Sequence, residues 1–167
     1  MNAAQFRQAK LVAVGISELG VTANADESLI TYSLGSCAGV SLMDPVTGTG
    51  GMIHCMLPLS SNDPERARQV PAMYVDTGLV QLLQRMFEAG VERKHILCKV
   101  AGCGAPADSD GVFKIGERNY TVLKKVLWKN NIVIKGECIG GNRPKTMLLE
   151  LASGKTFVRI DNEWVEL

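Results

Sequence analysis

The stretch Leu29-Ile30-Thr31-Tyr32-Ser33-Leu34-Gly35-Ser36-Cys37-Ala38-Gly39-Val40-Ser41-Leu42-Met43-Asp44-Pro45 decides how the rest of the chain is read. Residues 29–34 and 40–43 are short, β-rich apolar runs, and they flank a Gly-Ser turn with a cysteine at its tip. Asp-Pro closes the second run, as turn chemistry between strands requires. A further run, Met52-Ile53-His54-Cys55-Met56-Leu57, follows the turn Thr47-Gly48-Thr49-Gly50 and is stopped by Pro58. Upstream, residues 10–17 alternate as a first strand and residues 22–28 are a polar loop. The first third of the chain is therefore strand and turn.

After a polar segment at 60–71, which reads as a loop or short helical turn, the period changes. Val75, Leu79, Leu82, Leu83, Met86 and Phe87 form the stripe of an amphipathic helix, with Gly90 as its stop. Residues 95–100 predict a strand, and 101–111 an irregular stretch of small residues. Asn119 is placed to cap a second helix over 120–130, with Val122, Leu123, Val126 and Leu127 on one face. Residues 132–138 read as a strand. Residues 146–151 and 155–160 alternate around Ser153-Gly154 as a hairpin, and a tail containing Trp164 follows. Many strands and two helices, without βα alternation, predict an α+β domain: a strand-rich core of packed mixed sheets with two main helices on the flank. With 167 residues and no linker or repeat, residues 1–167 read as a single domain.

Composition removes several classes of function. The net charge is +1, with acidic and basic residues interspersed, so no basic face for nucleic acid is expected. The apolar runs are too short to span a bilayer, so no membrane insertion is expected. Residues 1–7 carry no apolar segment of the secretory type, which points to a cytoplasmic address. Five cysteines without CxxC spacing fit neither a disulfide framework nor a zinc site, and no nucleotide motif is present. Cys55, Cys98 and Cys138 read as small buried apolar residues. No cofactor or metal is expected.

Cys37 and His54 are the candidate chemistry. A thiol becomes a nucleophile only when a base takes or shares its proton. Cys37 sits at a sharp turn where successive amides, those of Gly35 and Ser36 included, can converge on an oxyanion. His54 lies in an apolar run and needs a polar partner once buried. A plain hairpin centred on Thr47-Gly48 sets His54 opposite Ser41, about 13 Å from Cys37 at about 3.3 Å per residue. A bend within 35–39, or a different pairing, is needed to bring them together. Spacing alone makes Thr31 an ordinary strand threonine.

The string Thr31-Tyr32-Ser33-Leu34-Gly35-Ser36-Cys37 and the segment Gly51-Met52-Ile53-His54-Cys55-Met56-Leu57-Pro58 resemble the signature of the chemoreceptor glutamine deamidase family of bacterial chemotaxis, CheD. The resemblance continues through Tyr74-Val75-Asp76-Thr77, Ile115-Gly116-Glu117-Arg118-Asn119, Gly140-Gly141-Asn142-Arg143 and Ser153-Gly154-Lys155. It implies a fold akin to that of the deamidating toxins. It further implies a cysteine hydrolase that converts receptor glutamines to glutamate, with Cys37 as nucleophile, His54 as base and Thr31 as third member. Chemoreceptors as substrate and a CheC-type phosphatase as partner follow from the same resemblance. So does an alternative role as a docking module on those partners with weak or no deamidation. The chain departs from the family at Cys98-Lys99-Val100-Ala101-Gly102-Cys103-Gly104-Ala105, where members commonly read Ala-Lys-hydrophobic-Phe-Gly-Gly-Ala. Ala101, Gly102, Cys103 and Gly104 are expected to line the substrate groove.

Overall fold

The computed structural model describes residues 9–107 and 114–167. Among the described residues, ten strands and three α-helices run in the order β1 (Lys10–Ala13), β2 (Leu19–Thr22), β3 (Glu27–Leu34), β4 (Ala38–Asp44), β5 (Thr49–Cys55), α1 (Pro64–Gln69), α2 (Val75–Glu88), β6 (Leu97–Gly102), α3 (Ile115–Lys129), β7 (Ile134–Ile139), β8 (Lys145–Glu150), β9 (Lys155–Ile160) and β10 (Glu163–Glu166). They form two mixed five-stranded sheets, β1-β3-β8-β9-β10 and β2-β5-β4-β6-β7. The expected α+β architecture of packed mixed sheets with two main helices is what is observed.

Strand alternation sorts the side chains into three layers. Ala38, Val40 and Leu42 of β4 and Ile53 and Cys55 of β5 pack with Leu79, Leu82 and Met86 of α2 and Leu123 and Leu127 of α3. The opposite faces of those strands meet the other sheet, where Met43 and Met52 join Leu29, Leu34, Met147, Leu149 and Val158. Ile30, Leu148 and Phe157 lie on the far face of the first sheet. Helices, sheet and sheet therefore stack in that order. A buried hydroxyl pair, Ser41 Oγ to Thr156 Oγ1 at 2.9 Å, links the two sheets.

Several elements depart from expectation for identifiable reasons. The first expected strand, residues 10–17, ends at Ala13 as β1, and β2, which was not expected, follows it in the other sheet. The chain turns after Ala13, where Ser17 adopts a positive φ of 62° and the Glu18 carboxylate accepts from the Gly15 amide. The hairpin of β4 and β5 closes around residues 45–48 with Asp44 paired to Thr49. The Asp44 carboxylate accepts from the Val46 amide at 2.8 Å and the Thr47 hydroxyl at 2.9 Å, which moves the turn toward Asp44. The tail of the sequence is ordered as β10, paired with β9. Helix α3 begins at Ile115, so Asn119 is not its cap; Lys114 holds that position in left-handed conformation. Gly116 and Asn119 occupy the inward positions of the first turns, so the apolar signal that marks a helix face starts only at Leu123. The expected irregular stretch at 101–111 lies partly outside the described residues; its described part opens in β6. No helix among the described residues is long and apolar enough to cross a membrane.

Candidate active site

Thr31, Cys37 and His54 arrive in one layer from three separate pieces of backbone. In β3, Leu29 faces the other sheet and Ile30 faces away, so Thr31 points inward with Leu29. In β5, Ile53 and Cys55 face the helices, which sends Met52 and His54 between the sheets. Cys37, half-buried, packs against that same inter-sheet cluster. Residues 35–37 are the bend by which the chain leaves the first sheet at Leu34 and enters the second at Ala38.

Register removes the separation that the plain hairpin imposed. His54 pairs with Gly39, not with Ser41, which pairs with Met52. Cys37 is then two positions beyond His54's direct partner on the same face, a diagonal neighbour at about 7–8 Å between backbones. Gly39 keeps this face open opposite His54, because a Cβ there would lie 2.6 Å from Leu34 Cδ1. The His54 backbone is pinned on its other edge, its carbonyl accepting from Ser17 at 2.8 Å and its amide donating to Glu18 at 3.1 Å.

The imidazole is fully buried and has one polar partner, Thr31 Oγ1, at 2.7 Å from Nδ1. Nε2 is buried without a hydrogen bond. Burial pushes the His54 pKa down to about 4, so the ring is neutral near pH 7. Burial also raises the Cys37 thiol above its ordinary value, with its own backbone amide partly opposing the shift. At rest the pair is therefore a neutral thiol and a neutral imidazole, with no preformed ion pair. In the tautomer that places the proton on Nδ1, Thr31 Oγ1 accepts it and Nε2 keeps a lone pair. Thr31→Val removes that acceptor and leaves a buried ring nitrogen unpaired. The variant should unfold about 1–3 kcal/mol more easily. It should also turn over about 10–100-fold more slowly, below the roughly 10,000-fold lost when a charged orienting group is neutralised. Thermal melts and steady-state rates check both.

The turn that carries Cys37 is held from beneath by its carbonyls. Gly35 O accepts from the Gly104 amide at 2.8 Å, and Cys37 O accepts from the Cys103 amide at 2.8 Å. Ser36 O accepts from Asn119 Nδ2 at 2.9 Å, and the same Nδ2 reaches Met56 O at 3.0 Å. Residues 101–104 are all buried and underlie the turn, which the amides of Cys103 and Gly104 support. Gly102 is required there: its φ is +95°, and a Cβ would stand 2.2 Å from Cys37 O. Gly102→Ala should cost at least about 2 kcal/mol, read as a lowered melting midpoint, and displace the turn. The Gly35 amide already donates to Ser33 O at 3.0 Å, which engages it within the turn. The amides of Ser36 and Cys37 remain as candidate oxyanion donors.

The remaining thiols play a different part. Cys55, Cys98 and Cys103 pack on the helix side, where burial drives the last two up to about 12. Cys138 is half-buried between the sheets. All five cysteines are free. His95 is part-exposed in a turn at the opposite end of β6, with Nδ1 3.9 Å from Asp44 Oδ1. Asn119, fully buried, is the residue that reading the sequence misassigned, as a cap. The available signal was its place four residues before Leu123, one helical turn away on the buried face of the helix.

Comparison with known proteins gives the chain's family. Residues 56–160 match the sequence model of the family described as "CheD chemotactic sensory transduction". A protein of Solibacter usitatus named "Probable chemoreceptor glutamine deamidase CheD" is 39% identical over 93% of this chain and 92% of its own length. The chain belongs to the CheD family. A Syntrophus aciditrophicus relative, named "Probable chemoreceptor glutamine deamidase CheD 1", is 40% identical over 89% of this chain and 92% of that protein. The span shared with the Solibacter CheD includes Thr31, Cys37 and His54, which lie outside the part matched by the family's sequence model. Among solved structures, the hypothetical protein YfiH of Bacillus licheniformis is similar over 74% of this chain and 50% of that one. Its TM-score is 0.47 at 13% identity, a likeness too low to bear on the site.

Proposed function

We propose that this CheD-family chain hydrolyses the side-chain amide of glutamines in chemoreceptor proteins, producing glutamate and ammonia. The observation that carries the reading is the buried 2.7 Å bond between Thr31 Oγ1 and His54 Nδ1, which leaves Nε2 without a hydrogen bond in the layer where Cys37 packs. The names of the relatives supply the substrate class.

The steps follow from the resting protonation states. His54 Nε2 takes the thiol proton as Cys37 sulfur bonds to the carboxamide carbon, a general-base attack rather than the reaction of a stored thiolate. The amides of Ser36 and Cys37 hold the oxyanion that forms. Protonated His54 donates to the departing nitrogen, the carbon–nitrogen bond breaks, and ammonia leaves a thioester on Cys37. His54 then takes a proton from water as its oxygen attacks the thioester. Collapse releases glutamate, and the proton returns to the sulfur. Thr31 keeps the ring in the tautomer that serves each transfer.

The raised thiol pKa of Cys37 favours a second reading, in which the chain docks on receptors and on a CheC-type phosphatase without turning over. Ammonia release from a purified cytoplasmic receptor fragment separates the two. Sustained release supports the hydrolase, whereas stable binding without ammonia supports docking alone.

A further inference from the structure

We infer that Asn119 is the positioning residue that sets the oxyanion-binding amide of Cys37. The inference rests on the cysteine-hydrolase reading of the site and extends it to a residue of α3 that touches neither Cys37's sulfur nor His54's ring nitrogens by a hydrogen bond.

The argument is one of peptide geometry. A trans peptide is planar, so its N–H points opposite to its C=O; no described peptide bond here is cis. Asn119 Nδ2 holds the Ser36 carbonyl at 2.9 Å on the buried side of the turn. The N–H of the same peptide unit belongs to Cys37, and it is thereby turned away from Asn119. Gly104 does the equivalent for the preceding peptide, holding Gly35 O and so directing the Ser36 amide. The effect of the Cys37 amide on its own thiol agrees with this direction, since it lies close enough to lower the thiol pKa against the rise due to burial.

Asn119 does more than fix one peptide. Its other acceptor, Met56 O at 3.0 Å, follows His54 by two residues, so one carboxamide spans the turn bearing the nucleophile and the chain leaving the strand that bears the base. Two carbonyl acceptors fix the amide orientation, because the flipped carboxamide would set oxygen against oxygen. The consequence is a buried Oδ1 without a hydrogen bond, which a side chain serving stability alone has no reason to retain.

The test compares two reactions of the same sulfur in purified full-length protein. Acylation of Cys37 by p-nitrophenyl acetate passes through a tetrahedral oxyanion: the sulfur–carbon bond forms, nitrophenolate leaves, and the thiol proton passes to His54. Alkylation by iodoacetamide displaces iodide at a saturated carbon and makes no oxyanion. Both are followed by mass mapping of the Cys37 peptide. In Asn119→Ala, the acylation rate should fall about 10–100-fold, less than the loss caused by deleting an oxyanion donor outright. The alkylation rate should stay within about twofold of wild type. Asn119→Ser, which retains one donor in a smaller side chain, should recover part of the acylation rate. Unchanged acylation in a folded variant overturns the proposal, and so does a parallel fall of both rates, which would signify collapse of the turn. Unfolding of both variants assigns Asn119 to stability and also overturns it. Because neither reagent is a glutamine, wild type that acylates but releases no ammonia from a receptor fragment refutes the deamidase reading and leaves this inference standing.

Discussion

Cys37→Ala loses ammonia release by at least about 10,000-fold, the scale seen when a covalent nucleophile is removed from a hydrolase. The folded state should be little affected, within about 1 kcal/mol, because the thiol is only half-buried. The separation between the two effects is the informative part. Residues 35–37 are held through their carbonyls by Gly104, Asn119 and Cys103, and none of those bonds involves the sulfur. Alanine therefore inherits the turn unchanged. A loss of activity accompanied by an equal loss of fold would assign Cys37 to the core rather than to the chemistry.

His54→Gln is the second large effect, and it carries a pH signature. Loss of the general base alone costs about 100–10,000-fold, and groups that act as a unit lose nearly as much singly as together. The expected deficit thus approaches that of the cysteine variant. Glutamine keeps a polar group within reach of Thr31, which limits the damage to the inter-sheet layer. The stability effect has a definite sign. The folded ring titrates at about 4 and the unfolded one near 6.5, so between those values the unfolded chain binds the proton first. Stability is complete above about pH 6.5, falls as the pH drops, and the loss is finished below about pH 4, amounting to at most about 3 kcal/mol. His54→Gln should lack that component of the acid loss. Denaturant titrations of both proteins across pH 4 to 7 read it directly.

Much of this was visible before any coordinates. The alternation in 29–34 and 40–43, and the helical stripe from Val75 to Phe87, locate two strands and α2 within a residue or two. What periodicity cannot carry is register. A two-residue difference in pairing, set by the Asp44 carboxylate capping the loop, separates a cysteine too distant to react from one diagonal to His54. The position of Thr31 was hidden for a related reason. Its partner lies in the other sheet, and no local pattern reports which faces of two sheets will meet. Asn119 was misread because asparagine favours helix caps, while here its carboxamide is used through tertiary contacts with Ser36 and Met56. The chain's departure from the family at residues 101–104 has a sharper meaning once their burial is known. Cys103 stands under the turn that bears Cys37, so its effect is to be sought in the support of that turn.

The most direct measurement incubates the protein with a chemoreceptor fragment in water enriched in heavy oxygen and maps the products by peptide mass spectrometry. Hydrolysis through a thioester on Cys37 converts chosen glutamines to glutamates that each carry a single heavy oxygen, and Cys37→Ala leaves every glutamine intact. Unmodified glutamines in the presence of the wild-type protein, or the same heavy-oxygen labelling by the Cys37→Ala variant, would contradict the account.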